Sequence, residues 1–179
     1  SKNCATHVDG ARIFNASVAT KTPLHRMTRD YDSVSICLSK GLGAPVGSVL
    51  VGSQDFIDQA HRWRKMFGGG MRQSGILAAA GIYALENNVE RMEDDHRRAR
   101  TIAQAIDEMD HVSVDLDAVQ TNMVYFSASK YSANEVSQKM AEAGIDMFDI
   151  SPTHCRIVTH LHITDEDVNR VIELLSNLN

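Results

Sequence analysis

The sequence predicts an α/β fold, because short apolar runs typical of buried strands alternate with longer stretches of helical periodicity. The balance between these segments changes along the chain. Residues 1–88 favour part of a mainly parallel sheet layer, residues 89–109 a linking helix, and residues 110–179 a small α/β sandwich domain. The length of 179 residues is sufficient to bury a substantial core.

The composition is typical of a soluble folded protein, with 43% hydrophobic and 23% charged residues, and it argues against a mainly disordered chain. The formal net charge of −5 lacks the basic character of a dedicated nucleic-acid binder. We expect no membrane partner, because no apolar run approaches the roughly 20 residues of a spanning helix and no secretory leader is visible. Three widely separated cysteines predict no disulfide framework and suit a reducing compartment such as the cytoplasm.

The first part of the chain is predicted to contain three strands. We predict strands over 5–9, 34–38 and 46–51, helices over 11–19, 55–67 and 72–86, and a short helical turn from Thr22. Glycines and Pro45 mark residues 39–45 as a loop. The third strand has a buried pattern, and the helix over 55–67 carries one apolar face, formed by Phe56, Ile57, Ala60, Trp63 and Phe67.

The second part is predicted to hold four strands and two helices after the charged helix over 89–109. The strands are expected over 112–116, 123–127, 145–150 and 156–161, and the first helix over 133–143. Thr164 is expected to cap the last helix, whose first turn is acidic. The buried stripe of that last helix is predicted to be Val168, Val171, Ile172 and Leu175.

Lys40 is the first candidate for chemistry, because it follows a predicted buried strand and lies among Ser39, Gly41 and Gly43. A lysine held in a desolvated pocket has a lowered pKa and reacts with aldehydes as a nucleophile. A surface lysine in a glycine-rich loop is the other interpretation, and local sequence alone favours it.

Asp9 ends the first predicted strand, and α/β folds bind ligands at the carboxyl edge of a parallel sheet. Arg12 follows three residues later, so a helical turn would place a carboxylate and a guanidinium on one side. Asp9 could equally cap the next turn, and an internal salt bridge would explain both residues equally well.

Two glycine-rich segments are candidates for phosphate binding. The segment from Gly41 to Gly47 fits neither the dinucleotide fingerprint nor the Walker A motif, because its third glycine is misplaced and no Gly-Lys-Ser/Thr follows. Gly68-Gly69-Gly70 precedes Arg72, and N–H groups at the start of the next helix could hold a phosphate. A plain helix–helix connection also explains these glycines.

His160 and His162 alternate along a predicted strand and would face the same side. The sequence offers no obvious third ligand, so we expect no metal site. Arg97, Arg98 and Arg100 are balanced by acidic residues just before them, which favours a solvated helix face.

Four motifs carry a family resemblance when they are taken together. They are His7-Val8-Asp9-Gly10-Ala11-Arg12, the segment from Ser39 to Gly47, the segment from Arg64 to Gln73, and the segment from Arg156 to Leu161. In this order and spacing they resemble the low-specificity L-threonine aldolases, which are pyridoxal-phosphate enzymes of the aspartate-aminotransferase fold type. The resemblance covers essentially the whole chain, although His162 stands where the family often has aspartate.

The resemblance implies that residues 1–88 are the C-terminal part of a large domain that binds pyridoxal 5'-phosphate. Lys40 would hold this cofactor as a Schiff base, and Asp9 would pair with its pyridine nitrogen. Arg12 would lie beside the cofactor, and Lys65 and Arg72 would lie near the same site.

The resemblance also implies a substrate and an assembly. Arg12 and Arg156 would bind the carboxylate of L-threonine or L-allo-threonine, which would be cleaved to glycine and acetaldehyde. This reaction belongs to threonine catabolism and glycine biosynthesis, and the enzyme would be a homotetramer.

The same resemblance implies that the chain is the C-terminal portion of such an enzyme. The portion that would bind the cofactor phosphate has no counterpart here, so the isolated chain is expected to be inactive. A related β-eliminating lyase, or a non-catalytic remnant that folds or pairs with a partner, remains an alternative.

Overall fold

The computed structural model describes residues 4–178, and the chain divides into two compact units between Arg91 and Met92. The first unit contains β1 (His7–Asp9), α1 (Ile13–Thr20), α2 (Leu24–Thr28), β2 (Ser33–Cys37), β3 (Ser48–Gly52), α3 (Gln54–Met66) and α4 (Gly75–Asn87). Its sheet has the order β1-β2-β3, in which β1 runs parallel to β2 and β3 runs antiparallel to β2. The α/β class is confirmed, and one of the two described pairings in this sheet is parallel.

The junction of β1 and β2 is fixed by two local features. Asp32 accepts hydrogen bonds from the backbone N–H of Thr6 at 2.7 Å and from its hydroxyl at 3.0 Å, and these bonds hold the pKa of Asp32 below its usual value. After β1, the N–H of Gly10 donates to the carbonyl of Ser35 at 2.8 Å. A Cβ on Gly10 would lie 2.7 Å from that oxygen, so the close approach requires glycine.

The predicted burial of β3 is wrong, and the apolar face predicted for α3 is not buried either. Every residue of β3 is exposed, and no residue of α3 is buried. Phe67 at the end of α3 is 83% exposed, and its ring stacks on Trp63 with centroids 5.8 Å apart. The apolar periodicity is present, but the described part of the first unit supplies no layer that covers it.

The second unit contains α5 (Met92–Asp107), β4 (Val112–Val114), β5 (Met123–Ala128), α6 (Ala133–Glu142), β6 (Phe148–Asp149), β7 (Cys155–Val158) and α7 (Asp165–Ser176). Its sheet has the order β4-β5-β7-β6, and all its pairings are antiparallel. The helix predicted as a link therefore lies in this unit. The strand predicted over 145–150 pairs only at β6, and the strand predicted over 156–161 ends at Val158.

The core of the second unit lies between its sheet and its three helices. Fully buried members include Ile102 and Ile106 of α5, Val124 and Phe126 of β5, and Leu175 of α7. The apolar face of α5, the helix predicted as a link, supplies part of this core. The stripe predicted for α7 is buried at three of its four positions, and Ile172 is half-buried.

Two helices of the second unit begin with a capping box. At α6 and α7, Ser132 and Thr164 each accept a backbone N–H bond through the hydroxyl, and Glu135 and Asp167 return a bond to the capping residue. The cap predicted at Thr164 is therefore confirmed.

All three cysteines are free. Cys155 is buried, and burial raises the pKa of its thiol to about 11, so the thiol is protonated at neutral pH. Across residues 4–178, no helix combines the length and the apolar character needed to cross a membrane.

Candidate active site

Asp9 and Lys40 lie at the same edge of the first sheet. Asp9 is the last residue of β1 and pairs in register with Ser35 of β2. Because β1 and β2 are parallel, both strands end at this edge, and Lys40 follows the end of β2 by three residues. Both side chains are exposed. The structure therefore brings a primary amine and a carboxylate to one open edge.

The loop that carries Lys40 is held on both sides. The N–H of Gly43 donates to the carbonyl of Lys40 at 2.9 Å, and Gly43 has a φ of 74°, which favours glycine. Leu42 is 1% exposed, and its carbonyl accepts a bond from the side-chain amide of Asn88 at 2.7 Å. The backbone around Lys40 is thus anchored while its amine stays exposed.

Asp9 also caps the turn that follows it. Its Oδ1 accepts the N–H of Ala11 at 3.1 Å. Within residues 4–178, Asp9 and Arg12 form no ion pair, so the internal salt bridge considered for them is excluded. Arg12 is half-buried at the N-cap position of α1. The guanidinium and the second carboxylate oxygen therefore remain available to a ligand.

His7 is a polar residue of this region that the sequence reasoning did not assign to the site. Its Nδ1 lies 2.8 Å from the hydroxyl of Ser33, and its Nε2 lies 3.3 Å from the hydroxyl of Ser35. His7 and Asp9 alternate along β1 and so share one face of the sheet. The signal was present in the sequence, because two polar residues alternate on each of two adjacent strands.

Lys65 and Arg72 lie on either side of the glycine segment between α3 and α4. The side chain of Lys65 lies against the backbone of Gly70, because a Cβ atom added to Gly70 would lie 2.8 Å from Lys65 Cδ. Helix α4 begins at Gly75, later than predicted, so exposed Arg72 precedes the N-cap residue Ser74. The placement of Arg72 at a helix N-terminus is therefore wrong, because the chain is still irregular there.

Arg156 belongs to β7 in the second unit and is half-buried. Its guanidinium carbon lies 4.8 Å from the ring centroid of Phe148. Its Nε is buried and has no hydrogen-bond partner among the described residues. A buried N–H donor without an acceptor costs free energy, so packing leaves this group of Arg156 unsatisfied.

His160 and His162 are not on a strand, because β7 ends at Val158 and both residues lie in the turn before α7. Their rings are 5.7 Å apart in an edge-to-face arrangement. Both residues line a cavity of about 370 Å³ in the second unit. The described residues contain no cluster of three or more His, Cys, Asp or Glu side chains arranged for a metal ion.

The arginines of α5 are predicted to form a solvated helix face, but two of them form ion pairs. Arg97 and Arg98 both bind Asp165 of α7, at 3.0 and 2.8 Å. The sequence could not reveal this contact, because it joins residues far apart in the chain. The ion pairs raise the pKa of Arg98 and lower that of Asp165.

Comparisons with known proteins agree on one group. A family model described as Beta-eliminating lyase matches residues 1–129. A probable low-specificity L-threonine aldolase 2 of Arabidopsis thaliana is 45% identical over 175 residues, which cover 96% of this chain and 49% of the relative. The low specificity L-threonine aldolase of Escherichia coli K12 is 49% identical over 170 residues, covering 95% of this chain and 50% of the relative.

A crystal structure has a similar fold. It is that of an L-allo-threonine aldolase candidate from Listeria monocytogenes, with a TM-score of 0.75 and 21% sequence identity, covering 95% of this chain and 51% of the other. The chain spans about half the length of the relatives it matches. With the family model extending over more than half of its residues, the chain belongs to the beta-eliminating lyase family.

Proposed function

We propose that this chain supplies the cofactor lysine and the substrate-binding arginines of a pyridoxal-phosphate-dependent aldolase. The reaction is the cleavage of L-threonine or L-allo-threonine between Cα and Cβ, which yields glycine and acetaldehyde. The observation that carries the proposal is the presence of Asp9 and Lys40 at one edge of parallel β1 and β2. Relatives named low-specificity L-threonine aldolases support the choice of reaction.

The donor set of the first unit fits pyridoxal phosphate. Lys40 offers an exposed primary amine on an anchored loop, and Asp9 has a carboxylate oxygen left free by its turn bond. The cofactor, when bound, supplies an aldehyde that condenses with amines and a ring that accepts electrons. Lys40 would hold the aldehyde carbon until a substrate amine replaces it. Asp9 would accept a hydrogen bond from the ring nitrogen and keep that nitrogen protonated.

Two arginines would bind the substrate carboxylate. Arg12 lies just beyond Asp9 and forms no ion pair within the described residues of the first unit. Arg156 presents a buried Nε–H for which residues 4–178 provide no acceptor. A planar guanidinium matches a carboxylate with two parallel N–H bonds, so both side chains suit an amino-acid substrate.

Lys65 and Arg72 would act on the cofactor side. Both are exposed cations next to the glycine segment 68–70, where a dianionic phosphate would be attracted. Arg72 would act through its own guanidinium. We assign no residue as the base that removes the β-hydroxyl proton.

The assembly would be a homo-oligomer, a tetramer by family resemblance, located in the cytoplasm and acting in threonine catabolism and glycine formation. Large apolar side chains exposed on the first unit support a partner surface there; they include Trp63, Phe67, Ile76 and Tyr83. A β-elimination on a related amino acid is the second candidate reaction, which the description of the matching family model favours.

Covalent labelling tests the role of Lys40. The chain is incubated with pyridoxal phosphate, reduced with borohydride and digested, and the pyridoxyl peptide is identified by mass spectrometry. We expect the label on Lys40, and its loss in Lys40→Ala but not in the control Lys130→Ala. A pyridoxyl group on another lysine would reject the assignment.

A turnover assay with excess pyridoxal phosphate tests the reaction. We expect no acetaldehyde from the 179-residue chain alone, and activity when a polypeptide carrying the remaining half of a relative is supplied. Robust acetaldehyde production by the 179-residue chain, abolished by Lys40→Ala, would show that it is a complete catalyst. Release of ammonia without glycine would favour the β-eliminating alternative.

A further inference from the structure

Arg156 differs from the other arginines of the second unit in what holds it. Each of the others donates to an oxygen atom: Arg97 and Arg98 to Asp165, Arg100 to the carbonyl of Leu116, and Arg170 to the carbonyl of Ala143. For Arg156 the described residues offer no oxygen acceptor at Nε, and its guanidinium lies over the ring of Phe148. An aromatic ring therefore takes the place that an acidic or carbonyl group takes elsewhere.

The strand pairing brings Phe148 to Arg156. Phe148 of β6 and Arg156 of β7 are direct cross-strand partners, so their side chains lie on the same face of the sheet. This face is opposite to the core, because the alternating neighbours Cys155 and Ile157 are buried. Phe148 is 59% exposed, so its ring is not needed to fill the core.

The kind of contact decides what Arg156 can still do. A carboxylate partner would occupy two N–H donors of the guanidinium, whereas a ring attracts the cation and leaves those donors unused. A long arginine side chain also loses rotational freedom when it binds a ligand, and a ring that already orders the side chain removes part of that cost.

We propose that Phe148 is a positioning residue that holds the Arg156 guanidinium in place for a carboxylate. The proposal rests on the carboxylate-binding role given to Arg156 in the proposed function. Phe148 acts only through Arg156 and is not itself a contact of the reacting atoms. Because Phe148 is 59% exposed, the contact lies at the protein surface, and its removal is expected to weaken carboxylate binding about two- to fivefold.

Arg156 can be observed directly in the free chain. In ¹⁵N-labelled protein the guanidinium N–H signals of Arg156, assigned with Arg156→Lys, are followed during a sodium acetate titration against sodium chloride at equal ionic strength. Phe148→Leu removes the ring and keeps an apolar side chain, whereas Phe148→Tyr keeps the ring. Ile150→Ala is the matched control, because it truncates an exposed apolar residue just beyond β6.

We expect acetate to shift the guanidinium N–H signals of Arg156 in the wild-type chain, with affinity reduced two- to fivefold in Phe148→Leu. Phe148→Tyr and Ile150→Ala should bind acetate as the wild type does. Equal affinity in Phe148→Leu, or an equal loss in Ile150→Ala, overturns the positioning role and leaves the carboxylate role of Arg156 intact. No response to acetate at Arg156 in the wild type overturns both roles, while Lys40 is judged separately by borohydride labelling.

Discussion

The two units differ in how far each covers its own apolar residues. In the second unit, the helices α5, α6 and α7 cover one face of the sheet, and its core side chains are almost completely buried. In the first unit, β3 is exposed throughout, and Ile76 of α4 is 85% exposed. The unit that carries Lys40 and Asp9 is therefore the one that leaves more of its large apolar side chains exposed.

The difference in coverage predicts different roles for the two units in stability and in activity. A covered core lets the second unit keep its shape with its own residues. The first unit exposes large apolar side chains, and extended apolar patches of this kind mark protein–protein contact sites. We therefore expect substitutions in the second unit to act on stability, and substitutions of exposed residues in the first unit to act on assembly or activity.

The largest expected effect comes from truncating the core. Phe126→Ala in β5 should lower the free energy of unfolding by about 3–5 kcal/mol, because it removes a buried ring and leaves a cavity. Trp63→Ala in α3 should change it by less than about 0.5 kcal/mol, because that ring is 53% exposed. Urea unfolding followed by circular dichroism compares the two variants. Equal losses would break the comparison by showing that α3 is covered in solution.

A smaller effect is expected at a helix start in the second unit. Thr164→Ala removes the hydroxyl that accepts the N–H of Asp167, and it should cost about 1 kcal/mol of stability. Thr164→Ser keeps the hydroxyl and serves as the control. A thermal or urea melt of the two variants sharpens the comparison, since an equal loss in both would mean that packing, and not capping, limits this unit.

The smallest effect is a dependence on pH. Hydrogen bonds from Arg98 and Arg97 lower the pKa of Asp165 below its ordinary value of 3.8, so Asp165 stabilises the fold above that value. The stabilisation is lost as the pH falls through the lowered pKa, because the protonated carboxyl no longer attracts the arginines. Asp165→Asn should flatten the acid-induced loss of stability below about pH 4 in urea melts. Asp110→Asn is the control, and an equal flattening there would contradict the assignment.

The sequence predicted most elements of both units and the α/β class, because helical periodicity and turn residues are local signals. It failed where structure depends on distant partners. The exposure of β3 reflects the absence of a covering layer, and the binding of Asp165 by Arg97 and Arg98 joins α5 to α7. Neither feature can be inferred from a short stretch of the sequence.

The residues of the candidate site were predicted mainly from the resemblance of four motifs to a known family, and less from the chemistry of each short segment. Local reasoning left Lys40 and Asp9 undecided, and the parallel register of β1 and β2 then placed both at one edge. The network of His7 and the ring beside Arg156 were not predicted, because each depends on which residues face each other across strands. Cross-strand partners follow from the register, which the sequence of one strand does not contain.

The hydrogen bond from Asn88 to Leu42 connects the end of helix α4 to the loop that carries the Lys40 amine. The two partners, Asn88 and Leu42, are 46 residues apart in sequence, yet the loop and the end of α4 are joined at 2.7 Å. A substitution that shifts the end of α4 would therefore displace the amine without touching it. Substitutions near Asn88 are therefore expected to act on the Lys40 amine although they lie outside the candidate site.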